Sequence, residues 1–157
     1  MSTGSAGELS EAARLDLVFP ELSARDRAEV VAELARGIAG AFPGIDAKSL
    51  ARGFVEREAL GSTALGNGLA VPHCKVAGLD RAHVAVGVCR SGIEFGAADG
   101  VPVHTFFAVI SPAEAPAAHL RLLAAISRWS RTPGNLERLV AATSATGVLA
   151  ALATGGE

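Results

Sequence analysis

The segment from residue 57 to residue 73 holds the residue types of this chain that are best suited to chemistry. It contains one arginine, two hydroxyl side chains and three glycines, and it ends at Pro72-His73. The glycines permit positive φ angles, so that backbone N–H groups can converge on one space and bind an anion. Pro72 fixes the backbone direction, and a free imidazole, with a pKa of roughly 6.5, is mostly uncharged at cytoplasmic pH. The segment therefore favours a histidine that accepts a phosphoryl group, although the spacing alone also fits a structural histidine after Val-Pro.

The rest of the chain predicts the elements that would position this segment. Apolar periodicity predicts helices over residues 24–41, 46–58, 117–129, 135–142 and 146–153. Nearly uncharged stretches predict strands over residues 84–89 and 103–110 that are buried on both faces. Asn67-Gly68 predicts a tight turn between extended segments. Helices on both sides of a strand-rich middle predict an α/β fold, a three-layer α/β/α sandwich.

Several single residues carry their own expectations. Ser23 is predicted to be the N-cap of the first helix. His119 shares a helical face with apolar residues, which by itself favours a core histidine satisfied by a carbonyl. His83 is predicted to face solvent and His104 to flank a strand. Cys74 is interpreted as a reduced thiol that fills space beside His73.

Composition limits the function classes. The chain has 157 residues, with 14 Lys and Arg against 16 Asp and Glu, a net charge of −2 (14 − 16). Such a balance offers no excess of cations for nucleic acid or an anionic membrane. Charged residues, glycine or proline interrupt every apolar stretch, and residues 1–9 lack the pattern of a secretory signal. We therefore expect a cytoplasmic protein with no nucleic-acid partner and no direct membrane insertion, built as one domain over residues 13–157 after a flexible tail at residues 1–12.

Short motifs spread between about residue 15 and residue 153 occur in a characteristic order. They are Arg57-Glu58, Gly61-Ser62-Thr63, Leu65-Gly66-Asn67-Gly68, Ala70-Val71-Pro72-His73, Gly92-Ile93-Glu94-Phe95, Asp99-Gly100-Val101-Pro102-Val103, Ser111-Pro112, His119-Leu120 and Ala141-Ala142-Thr143. In order and spacing they resemble the fructose/mannitol class of enzyme IIA of the sugar phosphotransferase system, which includes the nitrogen-related enzyme IIA. The resemblance implies a mixed central sheet within the three-layer sandwich.

The resemblance also implies a role for three residues. His73 would accept a phosphoryl group from an HPr-type phosphocarrier protein and pass it to a cysteine of an enzyme IIB domain. His119 would lie beside His73 and orient it or steady the phosphoryl group. Arg57 would lie near the phosphorylated ring, in agreement with the ability of a guanidinium to pair with phosphoryl oxygens. The family implies no cofactor.

Further donors to the phosphoryl oxygens are expected from the glycine-rich loop. The predicted phosphate-binding residues are Thr63, Ser62, Gly66, Asn67 and Gly68. The two hydroxyl residues can equally be ordinary turn residues that bond their own backbone.

Two alternative functions stay open at this point. One is a purely regulatory module of the nitrogen-related type, whose phosphorylation state controls its binding to target proteins. The other is a metal enzyme that uses His73, Cys74 and His119. No HExxH motif or paired CxxC supports a metal site, and neighbours in an extended chain point to opposite faces, so no metal is expected.

Overall fold

The computed structural model describes Leu9 and residues 11–154 of the chain. The strands are β1 (Ala13–Phe19), β2 (Ala64–Gly66), β3 (Leu69–Ala70), β4 (His73–Val76), β5 (His83–Ile93) and β6 (Val103–Pro112). The helices with defined bounds are α1 (Arg27–Ala41), α2 (Ala47–Ala59), α3 (Pro116–Arg131), α4 (Asn135–Ala141) and α5 (Ala145–Thr154). The helices and the two long strands lie within a few residues of their predicted positions, because their apolar periodicity is a local property of the sequence.

The strands form one mixed sheet in the order β1-β5-β6-β3-β2, in which β4 also pairs with β6. β5 and β6 are antiparallel, whereas β1 runs parallel to β5, and both β3 and β4 run parallel to β6. β3 and β4 pair with successive parts of β6, since Leu69 lies opposite Thr105 and His73 lies opposite Val109. The short link through Val71-Pro72 therefore separates two strands that run along the same neighbour.

Helices cover both faces of the sheet, which confirms the three-layer α/β/α sandwich. Successive strand residues point to opposite faces, so Val84, Val86 and Val88 of β5 pack in the cluster that contains Trp129 of α3. Ala85 and Cys89 pack in the other cluster, with residues of α1 and α2. The two central strands are thus buried on both sides, as predicted from their lack of charge.

The predicted N-cap of the first helix was wrong. Asp26 is the N-cap, and its carboxylate accepts a hydrogen bond of 2.9 Å from the backbone N–H of Glu29. Ser23 instead donates its backbone N–H and its hydroxyl to the carboxylate of Glu33 in the middle of α1. This long-range contact holds Ser23 against the side of α1, so Ser23 does not cap it, and a search for local capping patterns does not detect the contact.

The structure also contradicts the prediction that His83 faces solvent. The side chain is only 5% exposed and its ring lies 4.8 Å from the ring of Phe42, so it does not face solvent. Burial lowers the pKa of His83, and the nearby guanidinium groups of Arg81 and Arg14 lower it further. His83 is therefore a neutral core residue at neutral pH.

Residues 1–8, 10 and 155–157 lie outside the described residues, and with them most of the predicted tail. Leu9 and Ala12 are buried in the apolar cluster on the α3 side of the sheet. The packed part of the chain thus begins before the predicted boundary at residue 13. Among the described helices, none combines the length and the apolar character that a bilayer crossing requires.

Candidate functional site

Three separate elements meet at the carboxyl end of β6. Arg57 lies in the last turn of α2, His73 is the first residue of β4, and His119 lies in the first turns of α3. β4 pairs in parallel with the end of β6, and α3 begins shortly after β6 ends, so the topology brings the two histidines together. Their ring centroids are 5.0 Å apart, with the ring planes tilted by 56°.

The hydrogen bonds of His73 select one tautomer of its ring. Nδ1 lies 2.8 Å from the carbonyl oxygen of Val71, which can only accept, so Nδ1 carries the proton. Nε2 lies 3.0 Å from Nε of Arg57, whose N–H donates to it. The contact with Val71 thus places a proton on Nδ1, and the contact with Arg57 uses the lone pair of Nε2. His73 is half-buried, so part of the residue is open to solvent.

Arg57 is held by a second contact. Its Nη1 donates a hydrogen bond of 2.9 Å to the carbonyl oxygen of Gly61. The guanidinium is thereby fixed between the loop after α2 and the His73 ring. Arg57 is therefore not a freely solvated cation at the end of α2.

His119 is only 8% exposed. Its partner is a side chain, whereas its helical face alone favoured a backbone carbonyl. Its Nδ1 lies 2.6 Å from the hydroxyl oxygen of Ser111, the penultimate residue of β6. Burial lowers the pKa of His119, and the neighbouring His73, Lys75 and Arg57 lower it further. His119 is therefore neutral at neutral pH and can act as a hydrogen-bond donor without its own positive charge.

The two hydroxyl residues of the loop bond protein groups. Thr63 donates its backbone N–H and its hydroxyl to the buried carboxylate of Glu58. Ser62 donates its hydroxyl to the carbonyl of Phe95, and its oxygen accepts the N–H of Ala64. The bond from Ala64 is that of a turn residue to its own local backbone, whereas the bond to Phe95 joins the loop to a distant segment.

The structure does not bring Gly66, Asn67 and Gly68 next to His73. They form the turn between β2 and β3, with φ angles of 93°, 57° and 82°. Gly68 lies beside the start of β6, whereas His73 pairs four residues further along it, roughly 13 Å away at 3.3 Å per residue. The backbone N–H of Asn67 already donates to the carboxylate of Asp99. In this structure the turn thus binds an acidic side chain of the protein through the Asn67 N–H.

Cys74 packs against the reverse side of the site. A side chain at Gly53 of α2 would place its Cβ 2.5 Å from Sγ of Cys74, so the thiol fills the space that this glycine leaves open. Burial raises the pKa of the Cys74 thiol, and the carboxylate of Glu56 raises it further. The thiol therefore remains protonated, in agreement with a space-filling role. No cluster of three or more metal-ligating side chains occurs in residues 9 and 11–154.

Glu58, Val71 and Ser111 contact the site residues and were missed as positioning groups. One signal was available for Glu58, because it follows Leu50 and Phe54 at intervals of four on the buried face of α2. A carboxylate on an apolar helix face needs a partner. The contact of Ser111 depends on the packing of α3 against β6, and no local pattern reports it.

Comparison with known proteins gives a consistent picture. Residues 12–154 match the family described as "Phosphoenolpyruvate-dependent sugar phosphotransferase system, EIIA 2". A nitrogen regulatory protein from Pseudomonas aeruginosa is 35% identical over 116 residues, which cover 74% of this chain and 75% of the relative.

Solved structures show the same fold. Nitrogen regulatory protein IIA-Ntr from Neisseria meningitidis superposes with a TM-score of 0.82 at 28% identity, over 91% of this chain and 97% of that one. Enzyme IIA mannitol from Escherichia coli, solved in a complex with phosphorylated enzyme IIB mannitol, gives a TM-score of 0.74 at 20% identity, over 90% and 98% of the two chains.

Proposed function

Because the chain belongs to the EIIA 2 family of the phosphoenolpyruvate-dependent sugar phosphotransferase system, we propose that Nε2 of His73 is the atom that carries its phosphoryl group. The chain is a phosphocarrier of this system, from a family whose relatives include nitrogen regulatory proteins. The observation that carries the assignment to His73 is its tautomer. The Val71 carbonyl binds Nδ1–H and leaves the lone pair on Nε2, beside the Arg57 guanidinium.

This arrangement accounts for the transfer without a general acid or base. The Nε2 lone pair attacks the phosphorus of the phosphorylated donor, and the bond between phosphorus and the donor breaks with its electron pair leaving on the donor. Nδ1 keeps its proton, so the phosphorylated ring becomes positively charged. The Val71 carbonyl, 2.8 Å from Nδ1, then accepts a stronger, charge-assisted hydrogen bond.

Arg57 must change partners during this step. Its Nε–H occupies the same lone pair that forms the N–P bond, so the contact of 3.0 Å breaks as phosphorus arrives. The bond from Nη1 to the Gly61 carbonyl can keep the guanidinium in place meanwhile. The released N–H group then faces the developing charge on the phosphoryl oxygens.

His119 is proposed to donate a hydrogen bond to the phosphoryl group. If the Ser111 hydroxyl donates to Nδ1 of His119, the proton of this neutral ring lies on Nε2. Two neutral imidazoles side by side avoid the repulsion that two cations would create before the phosphoryl group arrives.

Replacement of His119 by alanine is expected to leave acceptance of the phosphoryl group intact or slowed and to impair its onward transfer. Ser111→Ala should show the same defect in weaker form, because it removes only the contact that orients the ring. Labelling by a phosphorylated donor and loss of label to an acceptor, followed separately, measure the two steps. Normal onward transfer by His119→Ala would remove His119 from the site.

The partners proposed are an HPr-type phosphocarrier as donor and an enzyme IIB domain as acceptor. Enzyme IIA mannitol, which has the same fold, is solved in complex with phosphorylated enzyme IIB mannitol. Exposed apolar side chains next to the site residues support a protein partner, since Leu60 near Arg57 is 84% exposed and Leu120 beside His119 is 63% exposed.

A regulatory output is the second candidate, and the similarity to a nitrogen regulatory protein favours it. In this case the phosphoryl group on His73 changes the affinity for a target protein and is not passed to a transporter. Rapid loss of label to an enzyme IIB cysteine supports transport. Stable label combined with phosphorylation-dependent binding of a target supports regulation.

The experiment that tests the proposal maps the modified atom. Incubation with a phosphorylated HPr-type carrier is expected to add one acid-labile phosphoryl group, and nitrogen NMR of the imidazole should place it on Nε2 of His73. Phosphorylation of Nδ1, or of His119 in its place, would contradict the assignment.

A further inference from the structure

Glu58 is a buried acid that the chemistry described above does not use. Its side chain is 9% exposed and lies in the last turn of α2. A negative charge is unfavourable there, because the carboxyl end of a helix already carries partial negative charge. The ion pairs found among the described residues do not include Glu58. Its hydrogen bonds must therefore explain why a carboxylate occupies this position.

Both carboxylate oxygens bind the same residue. Oε2 accepts the backbone N–H of Thr63 at 2.7 Å, and Oε1 accepts the Thr63 hydroxyl at 2.8 Å. Thr63 is itself buried. Two charge-assisted bonds in a water-poor environment fix both the position and the orientation of the loop at residues 61–63.

This loop in turn holds the two groups at the centre of the proposed chemistry. The Gly61 carbonyl accepts the bond from Nη1 of Arg57. The Thr63 carbonyl accepts the N–H of Val71 at 3.0 Å, and the Val71 carbonyl accepts Nδ1–H of His73 at 2.8 Å. A continuous chain of hydrogen bonds therefore connects the Glu58 carboxylate to the proton that defines the His73 tautomer.

We propose that Glu58 is a positioning residue that acts through Thr63 to hold His73 in the Nδ1–H tautomer and Arg57 against its Nε2. The proposal rests on the proposed function, because it concerns the nucleophile assigned there. The Thr63 hydroxyl accordingly serves the loop and does not contact the phosphoryl group. When the contact between Glu58 and Thr63 is lost, the Val71 carbonyl moves, and the preference for a lone pair on Nε2 weakens.

A matched pair of Thr63 variants tests this inference. Thr63→Val keeps the shape of the side chain and removes the hydroxyl, leaving one carboxylate oxygen of Glu58 without its partner, whereas Thr63→Ser keeps the hydroxyl. Thr63→Val should lower the rate of labelling by a phosphorylated HPr-type carrier about tenfold or more, the size expected for a buried bond to a charged group. Thr63→Ser should restore most of the rate. Glu56→Gln removes an exposed carboxylate from the same helix and is the control for the loss of a negative charge.

The deciding measurement is the tautomer of His73, read from the nitrogen chemical shifts of its ring without any donor protein. The wild type and Thr63→Ser should show one Nδ1–H form, and Thr63→Val should show a mixture. If Thr63→Val lowers the melting temperature but keeps the wild-type tautomer and labelling rate, Glu58 is merely structural and the inference is overturned. Glu58→Gln should resemble Thr63→Val more weakly, and if it fails to fold, the Thr63 pair decides alone.

The readouts also separate this inference from the proposed function. One outcome is that Thr63→Val shifts the tautomer of His73 while no donor labels the wild-type protein. This result would support the positioning role of Glu58 and contradict the assignment of His73 as phosphoryl carrier. A wild-type protein labelled on His73, with no tautomer shift in Thr63→Val, would leave the function intact and overturn the role of Glu58.

Discussion

The variant His73→Ala is expected to accept no phosphoryl group from a phosphorylated HPr-type carrier, a loss of at least about 1000-fold in labelling rate. The physical reason is that no other described side chain combines an imidazole lone pair that accepts from a guanidinium with a second imidazole beside it. Time-resolved labelling with radioactive phosphate measures the rate. Thermal unfolding of the variant checks that the fold persists, because the ring is only half-buried.

His104 offers a matched control for this prediction. Its Nδ1 lies 3.0 Å from the carbonyl oxygen of Cys89, so Nδ1 of His104 carries a proton, as Nδ1 of His73 does. His104→Ala should nevertheless be labelled at the wild-type rate, since its ring lacks the Arg57 and His119 neighbours. Equal labelling of wild type and His73→Ala would overturn the phosphoryl acceptor assignment.

Removal of the Arg57 guanidinium is the second change with a large expected effect. Arg57→Ala should lower the labelling rate roughly 100-fold, about 2.7 kcal/mol in activation free energy, as found when one preorganised donor to a developing charge is lost. Arg57→Lys should recover only part of this loss. A single ammonium cannot bind the Gly61 carbonyl and face the phosphoryl oxygens in the geometry of the guanidinium fork.

Arg52 provides the control, because it lies exposed on the same helix and carries the same charge. Arg52→Ala should keep the wild-type labelling rate at low and at moderate salt. A similar loss of labelling rate in Arg52→Ala and Arg57→Ala would show that Arg57 acts through the general charge of α2. The specific contact between Arg57 and His73 would then not explain the effect.

Local sequence patterns predicted much of the secondary structure and the class of the fold. The periodicity of α3 and the uncharged character of β5 and β6 were sufficient, because they reflect which faces of one element are buried. β1 was not predicted as a strand. It pairs with β5 across an irregular register, and its burial pattern does not alternate cleanly.

The sequence likewise predicted only part of the candidate site. The motifs named His73, Arg57 and His119, and the structure places these side chains together, while their roles stay a prediction. The turn from Gly66 to Gly68, predicted to bind phosphate, lies at a different point along β6 from His73. A glycine-rich turn reports that the backbone can bend there, but not which anion lies beside it, and here that anion is Asp99.

The amino-acid sequence alone determined the family, the layered architecture and the identity of the histidine proposed to react, because residue types, spacing and periodicity are local information. Tertiary structure alone decided the direction of each polar side chain in the site. The register of β3 and β4 along β6 separates the glycine turn from His73, and the packing of α2 on the loop turns Thr63 toward Glu58. Such contacts join residues from different elements, and their geometry exists only after the sheet and helices have packed.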